Sequence, residues 1–185
     1  MKRSLTVGLV LMGGTILTGC GDSEVDTAVY QNVQQCIEGG LFPAEKCEAD
    51  FQQAVATHEQ TAPAYNTKAD CEAEFGVGKC EENPQTTQAT NNAATNNSGG
   101  SSIFMPLMAG YMMGSILSNN RAVPPQSVYQ QQNRSGYYNS NGARVSNGLG
   151  ATKFSSRSAA AQAPKARTTT MARGGFGTRS AAISS

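Results

Sequence analysis

Two short stretches of this chain are versions of one another, and each is built around a pair of cysteines. Tyr30-Gln-Asn-Val-Gln-Gln-Cys36 aligns with Tyr65-Asn-Thr-Lys-Ala-Asp-Cys71, so that Asn32 falls on Thr67 and Gln35 on Asp70. A second cysteine follows in each unit, Cys47 in the first and Cys80 in the second. Related units are bridged alike, so the repeat selects Cys36–Cys47 and Cys71–Cys80 from the three pairings that four cysteines allow. Each bridge closes a short loop, which stabilises by roughly 2–3 kcal/mol through the unfolded chain. The spacings are C-x10-C and C-x8-C, not the C-x2-C of a zinc site or a redox pair. No metal and no cofactor is expected.

The same units carry helix punctuation. Asn32 and Thr67 are good N-cap residues, with Gln35 and Asp70 three positions on, as in a capping box. Gly39 and Gly76 are placed to close the two helices. Between them, Pro43 to Gln60 reads as a longer helix. Phe51, Val55 and His58 share one face, and Glu45, Glu48 and Asp50 lie in its first turns. His58 is the one histidine and has no nucleophile or acid partner close in sequence, so it reads as a helix-face residue, not a base or ligand. A module of this size needs covalent staples.

Disulfides require an oxidising compartment, and the N-terminus supplies the route there. Lys2 and Arg3 precede an uncharged apolar run from Leu5 to Leu17, too short for a comfortable membrane span. The run ends in Leu17-Thr18-Gly19-Cys20, which looks like a bacterial lipobox. That likeness implies cleavage before Cys20 and acylation of it. Several acyl chains together anchor firmly, since each buried methylene contributes roughly 0.8 kcal/mol. Gly21, not Asp, follows the cysteine. By similarity to sorted lipoproteins this implies the outer membrane, with the inner membrane as alternative, and a protein facing the periplasm.

Charge is partitioned. All 13 acidic residues lie between Asp22 and Glu82. Asn83 to Asn120 is uncharged, and beyond it stand only basic residues, from Arg121 to Arg179. Such asymmetry marks an interaction segment. In an exported chain nucleic acid is not the expected partner. Anionic lipid head groups, cell-wall polymers, an acidic protein and the chain's own acidic part are the candidates.

Five segments follow: a leader over 1–19, an acidic disulfide-stapled helical module over 20–82, a disordered polar linker over 83–102, an apolar segment over 103–118 and a basic low-complexity tail over 119–185. The apolar segment, IFMPLMAGYMMGSILS, is apolar on all sides and reads as a short helix. Gly110 and Gly114 would make a flat face for a helix partner, with Met108 and Met112 as adaptable contacts. A second copy, an envelope protein or the membrane could be that partner. In the tail, Phe176 within Arg173-Gly-Gly-Phe-Gly177 is a candidate anchor. The expected fold is therefore a small, mainly α, disulfide-stapled module with a long disordered linker and tail and one short apolar helix.

Several of these pieces, taken in order, resemble the YgiB family of bacterial lipoproteins. They are VYQN at 29–32, DCEAEFGVGKC at 70–80, FMPLMAGYMMG at 104–114 and RGGFG at 173–177. The resemblance implies an envelope location and this order of segments, and it transfers no catalytic residue. The expected role is a non-enzymatic, lipid-anchored envelope protein that works through contacts. An envelope enzyme or accessory subunit, or a stress sensor, are the alternatives.

Overall fold

The computed structural model describes residues 24–83, 102–116, 122–167, 170, 171 and 176. The leader, Cys20 and the linker from 84 to 101 lie outside the described residues.

The chain opens with a strand, β1 (Glu24–Tyr30), and then enters three helices, α1 (Val33–Gly39), α2 (Ala44–Thr61) and α3 (Lys68–Phe75). Two short strands follow on either side of the linker, β2 (Cys80–Glu82) and β3 (Phe104–Pro106). The remainder is β4 (Gly110–Met112), β5 (Ser115–Ile116), β6 (Ala122–Val123), β7 (Gln126–Gln131), β8 (Arg134–Asn139), β9 (Arg144–Ser146) and β10 (Gly150–Ser155). A 3-10 turn covers Ala159–Ala161.

The helix signals hold at residue level. The Asn32 side chain accepts from the Gln35 amide, and the Thr67 hydroxyl accepts from the Asp70 amide. α1 closes on Gly40, in the left-handed region at φ 64°, one residue later than expected. α3 closes on Gly76 at φ 108°. The buried face of α2 is Cys47, Asp50, Ala54 and His58, while Val55 is partly exposed. The bridges join Cys36 to Cys47 and Cys71 to Cys80, the pairs the repeat selects. The first ties α1 to α2, and the second ties α3 to β2.

The expected fold class is overturned. The centre of the molecule is a six-stranded antiparallel sheet in the order β10-β1-β4-β7-β8-β9, curled so that it nearly closes on itself. Its two edge strands approach each other, and the Thr152 hydroxyl of β10 donates to the Val145 carbonyl of β9 at 3.2 Å. Four of the six strands come from the segment read as a disordered tail. The apolar segment is not a helix either; it supplies β3, β4 and β5.

The register explains both corrections. In β1, Val25 and Val29 face one side of the sheet together with Met112, Val128, Tyr137 and Val145, and these form one core cluster. Ala28, Tyr30, Tyr111 and Met113 face the other side, where Cys36, Cys47 and Ala54 of the helices cover them. β4 is thus buried on both faces, and Tyr111, Met112 and Met113 have no exposed surface. A strand covered on both sides needs apolar residues at every position, not at every other one. Such a run has the same all-round apolarity as a buried helix.

The basic segment folds because its strands are joined by short turns. β7 and β8 form a hairpin across Gln132-Asn133, with Val128 opposite Asn139 and a register shift between Tyr129 and Gln131. β8 turns into β9 at Asn139, whose side chain accepts from the Ala143 amide at 3.0 Å while Gly142 takes φ 80°. β10 then pairs with β1 from Glu24↔Ser155 to Val29↔Gly150.

Two glycines serve this packing rather than a helix contact. A Cβ on Gly110 would stand 2.3 Å from the Tyr30 carbonyl oxygen, and one on Gly114 would stand 2.9 Å from Pro125 Cδ. Gly110→Ala should therefore lower stability by about 1–3 kcal/mol through overpacking. Gly148, which has open space around it, is the control: Gly148→Ala should change stability by less than about 0.5 kcal/mol. Urea unfolding of the two variants checks this. Equal, small effects would contradict the placement of Gly110 against β1.

Candidate functional site

The largest gathering of chemically capable side chains lies where α2 and α3 cover β7. Alternation along β7 places Ser127 and Tyr129 on the helix-facing side. His58 comes from the last turn of α2 and points its Nδ1 at the Tyr129 hydroxyl, 2.9 Å away. The Ser127 hydroxyl lies 2.8 Å from the same phenol oxygen. With one phenolic proton, Tyr129 donates to one neighbour and accepts from the other. Arg167 reaches the same helix end. Its guanidinium donates to the Ala62 carbonyl at 3.1 Å and to the Glu59 carbonyl, and its backbone amide donates to Gln60. It thereby caps the C-terminal carbonyls of α2 with positive charge.

A second polar node lies beside the first. Glu74, nearly buried in α3, accepts from the Tyr65 hydroxyl at 2.9 Å, the Gln131 amide group at 3.1 Å and the Phe176 backbone N–H at 3.0 Å. Phe75 sits between the nodes. Its ring meets Tyr65, Tyr129 and Phe176 edge-on at centroid distances of 6.0, 6.1 and 5.2 Å.

The electrostatics follow from burial. Desolvation lowers the His58 pKa from 6.5 to about 4, and the nearby Arg167 charge adds to the effect. The imidazole is therefore neutral at ordinary pH. Desolvation pushes the Tyr129 phenol well above its usual range, so it stays protonated. Burial, then the Glu74 carboxylate, does the same for Tyr65.

These groups resemble parts of a relay, but the geometry does not make a nucleophile. The serine bonds to the phenol and not to the imidazole, and no carboxylate orients the His58 ring among the bonds described. Ser127 and Tyr129 are buried, with 1% and 0% of their surface exposed. What the arrangement does is satisfy the Ser127 and Tyr129 hydroxyls while clamping the helix to the sheet. A third polar contact does the same further along α2. Asp50 accepts from the Gly114 amide at 2.9 Å and from Lys46 at 2.7 Å.

The residues singled out in the sequence fall as follows. Cys20 lies outside the described residues. Gly110 and Met112 are inside the sheet, Gly114 lies between β4 and β5 against Pro125, and Met108 packs against the cluster beneath the helices. Phe176 is an anchor, on the chain's own aromatic cluster. The basic segment meets the chain's own acidic part: Lys153 bonds Asp26 at 2.9 Å and lies 3.9 Å from Glu24. Among the described residues, no group of three or more His, Cys, Asp or Glu could hold a metal ion, and no helix is long and apolar enough to cross a membrane. Sequence reasoning missed Ser127, Tyr129, Glu74 and Arg167. The signal for the first two was the Ser127-Val-Tyr129 alternation before a two-residue turn.

Residues 24–185 match a protein family described as "Protein of unknown function (DUF1190)". Among curated proteins, a UPF0441 protein of Klebsiella pneumoniae, found in each of two strains, is 36% identical over 181 residues. The alignment covers 95% of this chain and 81% of the relative. No solved structure matches.

Burial of neutral His58 has a pH signature. The unfolded imidazole takes up its proton near 6.5 and the folded one only near 4. The stabilisation is complete above the first value and is lost as pH falls toward the second, a loss of roughly 3 kcal/mol in all. Urea midpoints measured between pH 7 and 5 should fall for the native chain and stay flatter for His58→Gln, which carries no titrating group. Parallel curves would contradict the burial of a neutral imidazole.

Proposed function

The chain belongs to this family of proteins of unknown function, and from that premise we propose that it is a lipid-anchored, non-enzymatic protein of the bacterial cell envelope that acts through contacts. The observation that carries the reading is the N-terminal series Lys2-Arg3, the apolar run to Leu17, and Leu17-Thr18-Gly19-Cys20. Two disulfides fit an oxidising compartment. The order of VYQN, DCEAEFGVGKC, FMPLMAGYMMG and RGGFG supports the narrower reading as a YgiB-type lipoprotein. Gly21 after the cysteine favours the outer membrane, with the body in the periplasm.

The non-enzymatic part of the proposal rests on how the reactive side chains are used. His58, Ser127 and Tyr129 are spent on one another beneath a helix. Glu74 accepts from three donors of the chain itself. Side chains so engaged stabilise the fold and do not face a substrate.

Growth with labelled palmitate tests the anchor. The native chain should carry the label and sediment with outer membranes. Cys20→Ser should carry none and keep its leader. Unchanged labelling or unchanged processing in Cys20→Ser would sink the proposal.

A further inference from the structure

The distance between the acylation site and the folded body is short enough to orient that body. Four residue steps separate Cys20 from Glu24, the first residue of β1. Fully extended, they span at most about 14 Å. β1 itself runs about 20 Å from Glu24 to Tyr30 at the usual strand rise. The tether is therefore shorter than the strand it leads into. The end of the sheet where β1 begins is thereby held within about 14 Å of the acylated residue, while the end where β1 finishes is free to lie farther out.

The register assigns residues to the two ends. Glu24 stands opposite Ser155, so Lys153, Ser155 and Arg157 belong to the first end. Val29 stands opposite Gly150, which places Leu149 at the second end. β7 runs on past Gly110 to Gln131, so the turn at Asn133 is there too.

Charge divides the same way. At the first end, Lys153 pairs with both acids of β1, Glu24 and Asp26, and Arg157 follows two residues after β10. The acid of α1 and Glu74 of α3 lie toward the second end, where Arg134 also stands opposite Gln131, whereas Asp50 of α2 sits beside Gly114, nearer the first end. α1 starts beyond Tyr30, and α3 seats on Gln131 and Gln132. A phospholipid surface carrying anionic head groups would repel that acidic layer and accept the balanced end.

We infer that the end of the sheet formed by Glu24, Lys153, Ser155 and Arg157 rests on the phospholipid head groups, holding the Leu149–Asn133 end toward the periplasm. This rests on acylation of Cys20. The surface it leaves free for any protein partner is the opposite end, with Leu149 39% exposed.

The chain has no Trp, so a single introduced Trp reports depth without background. The full acylated protein would be reconstituted in vesicles of phosphatidylethanolamine and phosphatidylglycerol containing head-group spin-labelled lipid. Arg157→Trp and Lys153→Trp should be quenched roughly twofold or more beyond Leu149→Trp and Asn133→Trp, since even Lys153 and Leu149 are four residues, about 13 Å, apart along the strand. Two variants at each end guard against one misfolding. Mass spectrometry of the same samples reports acylation. An acylated protein quenched equally at both ends, or more at Leu149→Trp, overturns the orientation and leaves the anchor standing. A protein with no acyl group on Cys20 overturns both.

Discussion

Everything else in the molecule is arranged around the burial of β4 on both faces. Tyr111 and Met112 pair with β1 on one side, and Gly110, Tyr111 and Met112 pair with β7 on the other. Met112 fills the inside of the curled sheet, and Tyr111 and Met113 fill the outside beneath the helices. β4 and β10 flank β1 and tie it into a sheet built mostly from the C-terminal half. The helices cover a surface that β1, β4 and β7 form together. Burying several large apolar side chains here stabilises by about 1.5–3 kcal/mol each.

Polar contacts then fix which helix lies where. Apolar packing alone would let α2 slide along the sheet, since dispersion is not directional. Asp50 on the Gly114 amide, the Tyr111 hydroxyl on the Cys47 carbonyl and His58 on Tyr129 pin α2 at three points along its length. A buried polar group left without its partner costs about 1–3 kcal/mol, so displacing the helix is penalised at each point. The charge asymmetry of the sequence has the same use in part. Basic residues of the second half neutralise the start of β1 and cap the end of α2. The order of events in folding is constrained as a result. β10 must find β1 across more than a hundred residues, and such non-local pairing is slow to form.

The parts legible in the sequence were those governed by local rules. N-caps at Asn32 and Thr67, a glycine terminus at Gly76 and the disulfide pairs depend on neighbours a few residues away. What was not legible depends on distant partners. IFMPLMAGYMMGSILS carries the same all-round apolarity as a helix because both of its faces are covered by segments up to 90 residues away. Pro106 and Gly110 were the local marks against a continuous helix. The basic segment hid its strands behind Ser, Asn, Gln and Gly. Its turn chemistry was visible, in Asn141-Gly142 and in the two-residue turn of Gln132-Asn133 between runs of equal length. The His58–Tyr129–Ser127 cluster could not be found without that sheet, because its members are 71 residues apart.

Hydrogen exchange at the amides of 111–114 tests the placement of β4 most directly. The Met113 amide donates to Ala28 and the Gly114 amide to Asp50, both in the buried layer between sheet and helices. Such amides open only with the whole molecule. In the chain from residue 21 onward, free of membrane and partner, they should exchange as slowly as the amides of β7 and β8. Rapid exchange at 111–114 while β7 and β8 stay protected would show that this apolar stretch is not the central strand of the fold.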